Sequence, residues 1–225
     1  AYIEEAVAQG LFLGMSDTAF EPNTAMSRAM FVTVLHRFAN PEGEGTTALM
    51  TYADLPEDAW YTGAVNWASA LGLLEDMASE QFYPDAPITR EDMMTLISRY
   101  FAAIGLPLPT HVKPVYLSDR ADISDYARPA VSEGGLARIM EGFPDGSFAP
   151  KGESTRAQVA AVLSRSRQWQ QIQQAHTPVF GDSAGVETHA LPEGVGMALD
   201  AMLMTDNGYW AAYSGEGRAC LYDLS

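Results

Sequence analysis

The sequence contains little cysteine and little positive charge. Cys220 is the single cysteine among 225 residues, which excludes an intrachain disulfide framework but says little about the redox compartment. Only 13 Lys and Arg residues stand against 29 Asp and Glu residues, so the formal net charge is -16. Long-range repulsion on this scale argues against nucleic acid and anionic lipid as partners.

Long apolar segments are also missing. No run reaches the roughly 20 apolar residues of a membrane-spanning helix, and no signal peptide is recognisable at the start of the chain. The four histidines lack zinc-ligand spacing, and no cofactor motif is present. The composition is that of an exported, soluble protein for which we expect neither metal nor cofactor.

What the sequence does contain is a tandem repeat. Residues 20–38, 82–100 and 148–166 align without a gap, at periods of 62 and 66 residues. Each copy carries Phe-x-Pro, a Ser/Thr-Arg pair and a second arginine nine residues after the first. The equivalent residues are Phe20, Phe82 and Phe148, Pro22, Pro84 and Pro150, Ser27, Thr89 and Thr155, Arg28, Arg90 and Arg156, and Arg37, Arg99 and Arg165. Units this small cannot bury a core alone, so the copies must pack on one another.

The spacing of apolar residues predicts a helix after each Ser/Thr-Arg pair. One apolar face recurs at i, i+3, i+4 and i+7: Phe31, Val34, Leu35 and Phe38 in the first copy, Met93, Leu96, Ile97 and Tyr100 in the second, and Val159, Val162 and Leu163 in the third. The preceding hydroxyl residues are predicted N-caps, which Gln158 would reciprocate in the third copy. Shorter helices rich in Ala and Gly are predicted at residues 2–9, 64–71 and 130–137. The predicted fold class is therefore mainly α, built from helix-loop-helix repeats.

These residues resemble the S-layer homology (SLH) repeats of bacterial surface proteins. The family pattern has an aromatic-x-Asp and a Trp-Tyr pair, then Gly-Tyr-Pro-Asp-Gly-x-Phe-x-Pro, then Ile-Thr-Arg-Ala-Glu before an apolar helix. Residues 139–150 with 154–158 carry the later parts most fully, and residues 52–54, 60–61 and 87–92 carry others. The resemblance implies a pseudo-threefold helical assembly at the bacterial cell surface. It also implies non-covalent anchoring to an anionic, often pyruvylated, cell-wall polysaccharide.

The domain boundaries follow from the repeats and from polar or proline-rich linkers between them. We predict an N-terminally truncated repeat at 1–40, repeats at 50–104 and 115–168, and a tail at 178–225. Because the chain begins inside a repeat, a removed leader is compatible with it. The tail is interpreted as a degenerate fourth half-repeat or a small α/β unit, with a helix near 194–204 and a hairpin of 209–213 with 218–222. Phe180 and Asp182 match Leu117 and Asp119, so the tail either completes the first repeat or leads to a cargo domain.

The candidate ligand-binding residues begin with the three first-turn arginines, Arg28, Arg90 and Arg156. A helix N-terminus favours an anion, and a guanidinium grips a carboxylate through two parallel hydrogen bonds. Trp60 is a candidate for packing against a sugar face, and the Asp145-Gly146 turn for bringing backbone close to a ligand. Asp54, Asp119 and Gly142 complete the set as motif positions of the resemblance.

Several alternatives remain open at this stage. The arginines would instead join the repeats by pairing with recurrent acids, for which Asp17, Asp54, Asp119 and Asp145 are candidates. We expect one or two working grooves, each drawing on adjacent repeats, with Arg90 and Arg156 favoured over Arg28. The second arginines, at 37, 99 and 165, are predicted to be structural.

Two other functions compete with anchoring. One is a self-associating surface-layer scaffold. The other is a cell-wall hydrolase that uses Cys220 with His176 or His189, although no motif supports this arrangement.

Overall fold

The computed structural model has two units, Ala1–His176 and Thr177–Ser225. It describes residues 2–12, 20–39, 52–77, 80–110, 116–175, 188–190, 201–205, 208–215 and 218–223. Asp17, His176, Phe180, Asp182 and residues 194–200 of the predicted helix lie outside the described residues. Whether the tail is a half-repeat that completes the first repeat therefore stays a prediction.

Short and long helices alternate along the described part of the first unit. They are α1 (Tyr2–Ala8), α2 (Arg28–Ala39), α3 (Thr62–Ala70), α4 (Arg90–Ala103), α5 (Arg128–Leu136) and α6 (Arg156–Ala175). Two single-turn 3-10 helices, Arg120–Asp122 and Asp125–Ala127, precede α5. The predicted helix-loop-helix repeats are confirmed. No helix among the described residues is both long enough and apolar enough to cross a membrane.

The predicted N-caps of the long helices are also confirmed. Thr89 Oγ1 accepts the N–H of Asp92 at 3.1 Å, and Ser27 Oγ accepts that of Met30 at 3.3 Å. In the third repeat, Thr155 Oγ1 accepts from the N–H of Gln158 at 3.3 Å, while Gln158 Oε1 accepts from the N–H of Thr155 at 2.9 Å. This reciprocal pair is the capping box that the sequence indicated. Each first-turn arginine therefore begins its helix.

Backbone hydrogen bonds between the loops close the three repeats into a ring. The N–H of Met26 donates to Ser154 O at 2.9 Å, that of Ile88 to Met26 O at 2.8 Å, and that of Ser154 to Ile88 O at 3.0 Å. The helices follow the same order, because α2 packs on α3, α4 on α5 and α6 on α1. These contacts show that the repeats form a closed ring. The pseudo-threefold symmetry of that ring stays a prediction.

A continuous apolar core fills the ring. Every residue of the predicted apolar faces of α2, α4 and α6 is buried within it. Phe31, Leu35, Met93 and Leu163 have exposures of 1% or less. Burying a large apolar side chain stabilises a fold by about 1.5 to 3 kcal/mol. Packing between repeats therefore supplies the buried apolar area that one repeat alone lacks.

The second unit contains an antiparallel sheet in its described residues. Its strands are β1 (Thr188–Ala190), β2 (Ala201–Thr205), β3 (Gly208–Gly215) and β4 (Arg218–Asp223), in the order β1-β4-β3-β2. The predicted hairpin is confirmed, since β3 pairs with β4 and Gly215 lies opposite Arg218.

The predicted helix near 194–204 is wrong for residues 201–204, which lie in β2. This strand pairs with β3, placing Leu203 opposite Trp210. A short apolar run fits a helix or a strand equally well by periodicity. Pairing with a neighbouring strand decided between them.

Candidate functional site

The three first-turn arginines are buried between neighbouring repeats. Arg28 and Arg90 are each 7% exposed, and Arg156 is 4% exposed. In each case Nε donates to the carbonyl oxygen of the Phe-x-Pro phenylalanine in the next repeat, and the guanidinium lies over that ring. The Nε–O distances are 2.9 Å for Arg28 and Phe82, 2.7 Å for Arg90 and Phe148, and 2.7 Å for Arg156 and Phe20. The ring-centroid distances are 5.2, 4.9 and 4.6 Å. Each arginine therefore joins one repeat to the next.

Asp54 and Asp119 hold the same phenylalanines from the other side. Asp54 accepts the N–H of Phe82 at 2.7 Å, and Asp119 accepts that of Phe148 at 2.9 Å. The arginines do join the repeats, as the alternative supposed, but the pairing with Asp54 and Asp119 was wrong: these carboxylates take backbone amides. Burial lowers the pKa of Arg90, and the charge of Asp119 partly opposes that shift.

The loop held by these aspartates contains a strained residue. The middle residue of Phe-x-Pro has positive φ in all three repeats: Glu21 at 54°, Tyr83 at 57° and Ala149 at 53°. This conformation costs a non-glycine residue about 1 to 2 kcal/mol. A carboxylate oxygen accepts the N–H of Tyr83 at 2.7 Å and that of Ala149 at 2.6 Å, which offsets the cost. The aromatic-x-Asp motif is the sequence signal for this role.

Gly142, Asp145 and Gly146 shape the loop of the third repeat. Asp145 Oδ1 accepts from the backbone N–H of Ser147 at 2.9 Å and from its hydroxyl at 2.7 Å, which lowers the Asp145 pKa. Gly146 has φ +84°, and a Cβ on Gly142 would lie 2.6 Å from the oxygen of Ser147. The carbonyl oxygen of Gly146 also accepts the N–H of Ser118 at 2.9 Å, so these residues shape the loop and tie it to the segment that carries Asp119.

The second arginines are structural, as predicted. Each donates from Nη1 to a backbone carbonyl that follows the short helix of its own repeat. The acceptors are Leu11 for Arg37 at 3.3 Å, Leu73 for Arg99 at 3.0 Å and Ile139 for Arg165 at 3.3 Å.

Trp60 and Arg156 both line a cavity of about 180 Å³, which we call the Arg156 groove. Trp60 is 63% exposed. The other lining residues are Phe12, Met26, Met30, Thr33, Val34 and Arg37. This groove therefore brings together two predicted site residues from different repeats. A guanidinium, an exposed indole and an apolar wall suit a ligand with an anionic group and an apolar face.

The equivalent position beside Arg28 contains an ion pair. Asp92 stands where the first repeat has Met30, and its Oδ2 lies 3.2 Å from Arg28 Nη1. Tyr126 stands where the second repeat has Trp60, and its hydroxyl donates to Asp92 Oδ1 at 2.7 Å. Burial, together with the hydrogen bond to Asp92, raises the pKa of Tyr126. Neither Asp92 nor Tyr126 was among the candidate site residues predicted from the sequence.

Glu91, beside Asp92 in sequence, ties α4 to the third repeat. Its carboxylate accepts from the N–H and hydroxyl of Ser124 at 3.0 and 2.9 Å, and it pairs with Lys151. Burial favours a higher pKa for Glu91, but the hydrogen bonds from Lys151 and Ser124 outweigh it and lower the pKa.

Arg90 has different surroundings again. Its guanidinium lies 4.6 Å from the Phe143 ring centroid, and Nη2 donates to the carbonyl of Glu141 at 3.2 Å. A second cavity, of about 230 Å³, is lined in part by Gly142, Glu141 and Phe148, but not by Arg90. No cluster of three or more potential metal-ligating side chains occurs among the described residues.

The repeats and their loop contacts agree with a comparison against known families. The profile described as the S-layer homology domain matches residues 1–30, 51–94 and 117–160. The chain belongs to the S-layer homology domain family. The three matched segments coincide with the three repeats seen in the fold.

Proteins with similar sequences include some named as enzymes and one named as an anchoring protein. An amylopullulanase of Thermoanaerobacterium thermosulfurigenes is 32% identical over 72% of this chain and 8% of its own length. The exoglucanase XynX of Acetivibrio thermocellus is 29% identical over 72% of this chain and 14% of its own length. A cellulosome-anchoring protein of the same species is 24% identical over 65% of this chain and 33% of its own length. The chain thus spans a third or less of each relative.

Proposed function

We propose that this chain is a non-enzymatic anchor at the bacterial cell surface, which holds a protein on the wall by binding an anionic polysaccharide. The Arg156 groove carries the proposal, because it combines a cation, an exposed indole and an apolar wall in one cavity. The SLH repeats and the relative named as an anchoring protein support it.

Local geometry must supply the binding energy in this proposal. A molecule of net charge -16 repels an anionic polymer at long range. Arg156 is 4% exposed, so its charge is screened less by salt than that of a surface cation. A pyruvylated sugar fits this chemistry, because its ketal-linked carboxylate is a small planar anion on an otherwise apolar sugar face.

The first test replaces Trp60 with alanine. We expect Trp60→Ala to weaken co-sedimentation with purified cell wall about tenfold, as loss of an aromatic contact of more than 1 kcal/mol would do. Trp60 is largely exposed, so circular dichroism and melting temperature should not change. Wall stripped chemically of its polysaccharide should bind neither form.

Tyr116→Ala is the matched control. Tyr116 is 88% exposed and lines neither cavity, so its loss should leave wall binding intact. Equal binding by Trp60→Ala and the natural chain would contradict the proposal. Self-assembly without wall material would instead indicate a scaffold. Release of reducing sugar or peptide from the wall would indicate a hydrolase.

A further inference from the structure

The second cavity, of about 230 Å³, is lined only by residues of the third repeat, so it is separate from the Arg156 groove. Leu117, Val131, Met140 and Phe148 contribute apolar side chains to its walls, whereas Gly135 contributes no side chain. An apolar cavity of about 150 Å³ is large enough to bind benzene. The second cavity therefore has room for one aromatic ring.

The second repeat shows what fills this place when it is occupied. Tyr52 and Leu117 are equivalent, because each stands two residues before the aspartate that accepts the N–H of the Phe-x-Pro phenylalanine. Tyr52 is 5% exposed, and its ring centroid lies 5.9 Å from that of Phe82. Leucine in place of this tyrosine leaves the space of the ring unfilled beside the equivalent phenylalanine of the third repeat.

A second reduction in side-chain size occurs on the helix that borders the cavity. Helices α3 and α5 each have nine residues, and they align at the 66-residue period of the repeats. Val65 and Val131 are then equivalent, and both are buried. Ser69 is equivalent to Gly135. The third repeat thus has smaller residues than the second at two positions that line the cavity.

We propose that the second cavity is a binding site for a neutral phenol ring, supplied by a free phenol or by a tyrosine side chain of another polypeptide. The chain itself places such a ring at the equivalent position of its second repeat. Charge restricts the ligand further. Glu141 is the ionisable residue among those that line the cavity, and the whole chain carries a charge of -16. An anionic ring would lose its hydration in the apolar cavity and be repelled by these charges.

The first experiment titrates the natural chain with p-cresol, which is the side chain of tyrosine as a free molecule. We expect saturable binding with a dissociation constant on the order of 1 mM. The methyl resonance of Met140 should shift during the titration, because this residue lines the cavity. The anion para-hydroxybenzoate should bind at least about tenfold more weakly.

N-acetyltyrosinamide distinguishes the two sources of the ring. Binding of this compound with the same Met140 shift would show that the cavity admits a tyrosine side chain attached to a backbone. Binding of p-cresol alone would assign the site to free phenols.

Leu117→Tyr fills the cavity with the ring that the second repeat carries. The variant should lose the p-cresol binding and the Met140 shift. Its circular dichroism should not change, because the equivalent backbone position already accepts tyrosine. Leu55→Tyr is the matched control: Leu55 packs against the core but lines neither cavity, so this variant should bind p-cresol as the natural chain does.

The reverse change tests the same inference in the second repeat. Tyr52→Leu combined with Ser69→Gly should create a second p-cresol site. Three results would overturn the inference: no saturable binding by the natural chain, equal binding by folded Leu117→Tyr, or a folded reverse variant without a second site. If the reverse variant does not fold, the natural chain and Leu117→Tyr decide the matter.

Discussion

At the scale of single residues, one phenylalanine per repeat organises the interface. Phe82 is held at its N–H by Asp54 and at its carbonyl by Arg28, and Phe148 is held likewise by Asp119 and Arg90. Removing one of these arginines would leave a buried carbonyl without its charged donor, at a cost of about 1 to 3 kcal/mol. Arginine-to-alanine variants would therefore lose stability whether or not they also lose ligand.

Ser154 lies where the loops of the three repeats pair, and its side chain is a local source of instability. It is fully buried, and its hydroxyl has no hydrogen-bond partner among the described residues. Met26 and Ile88 occupy the equivalent places in the inter-loop ladder. We expect Ser154→Ala to raise the free energy of unfolding by about 1 kcal/mol, because an unsatisfied buried group is removed. Urea unfolding followed by circular dichroism measures it.

Ser164→Ala provides the control with the opposite sign. Ser164 is 3% exposed, and its hydroxyl donates to Glu5 Oε2 at 2.6 Å, so the same substitution breaks a partly buried hydrogen bond between α6 and α1. We expect this variant to be less stable than the natural chain. A destabilised Ser154→Ala would show that the hydroxyl has a partner that matters.

At the scale of elements, the end of each short helix needs a left-handed residue. Gly10 and Gly72 supply it with φ of +70° and +69°, but the third repeat has Arg138 at φ 54°. The Arg138 side chain is exposed. Arg138→Gly should stabilise the chain by about 0.5 to 1 kcal/mol, because the conformational penalty of a side chain here exceeds the extra entropy of an unfolded glycine. Thermal unfolding measures the shift.

Arg128→Gly is the matched substitution for that prediction. Arg128 is exposed and begins α5 with ordinary helical dihedrals, and it pairs with Asp125 at 2.7 Å. Glycine there should lower stability by up to about 1 kcal/mol. If both variants moved the melting temperature in the same direction, backbone conformation would not be the cause.

The elements that could be predicted from the sequence are those determined by residues close together in the chain. Repeat spacing and apolar periodicity identified the helices of the first unit, and hydroxyl positions identified their caps. The strand at 201–205 was missed because its identity depends on pairing with β3. The pairing of Arg28 with Asp92 was missed for a similar reason: the two residues lie 64 positions apart in the chain. Which residue of the next repeat Arg28 meets depends on how the two repeats pack.

At the scale of the whole molecule, the repeats depend on one another in a closed order. Arg28 reaches the second repeat, Arg90 the third, and Arg156 returns to Phe20 of the first. The bond from Arg156 to Phe20 spans 136 positions of sequence. Closing so long a loop is entropically costly, so we expect this contact to form late in folding. The Arg156 groove lies at this closure and forms only once all three repeats are assembled.

The net charge of the whole molecule predicts how salt affects wall binding. A charge of -16 repels an anionic polymer during approach, whereas contacts in the groove act over a few ångströms. Salt shortens the Debye length from about 30 Å at 0.01 M to about 10 Å at 0.1 M. We therefore expect the association rate with solubilised wall polysaccharide to rise over this range, measured on an immobilised chain. The same polymer with its acid groups removed should show no such rise. A rate that fell steeply with salt would indicate steering by a cationic surface, and the local geometry of the groove would then no longer be needed to explain binding.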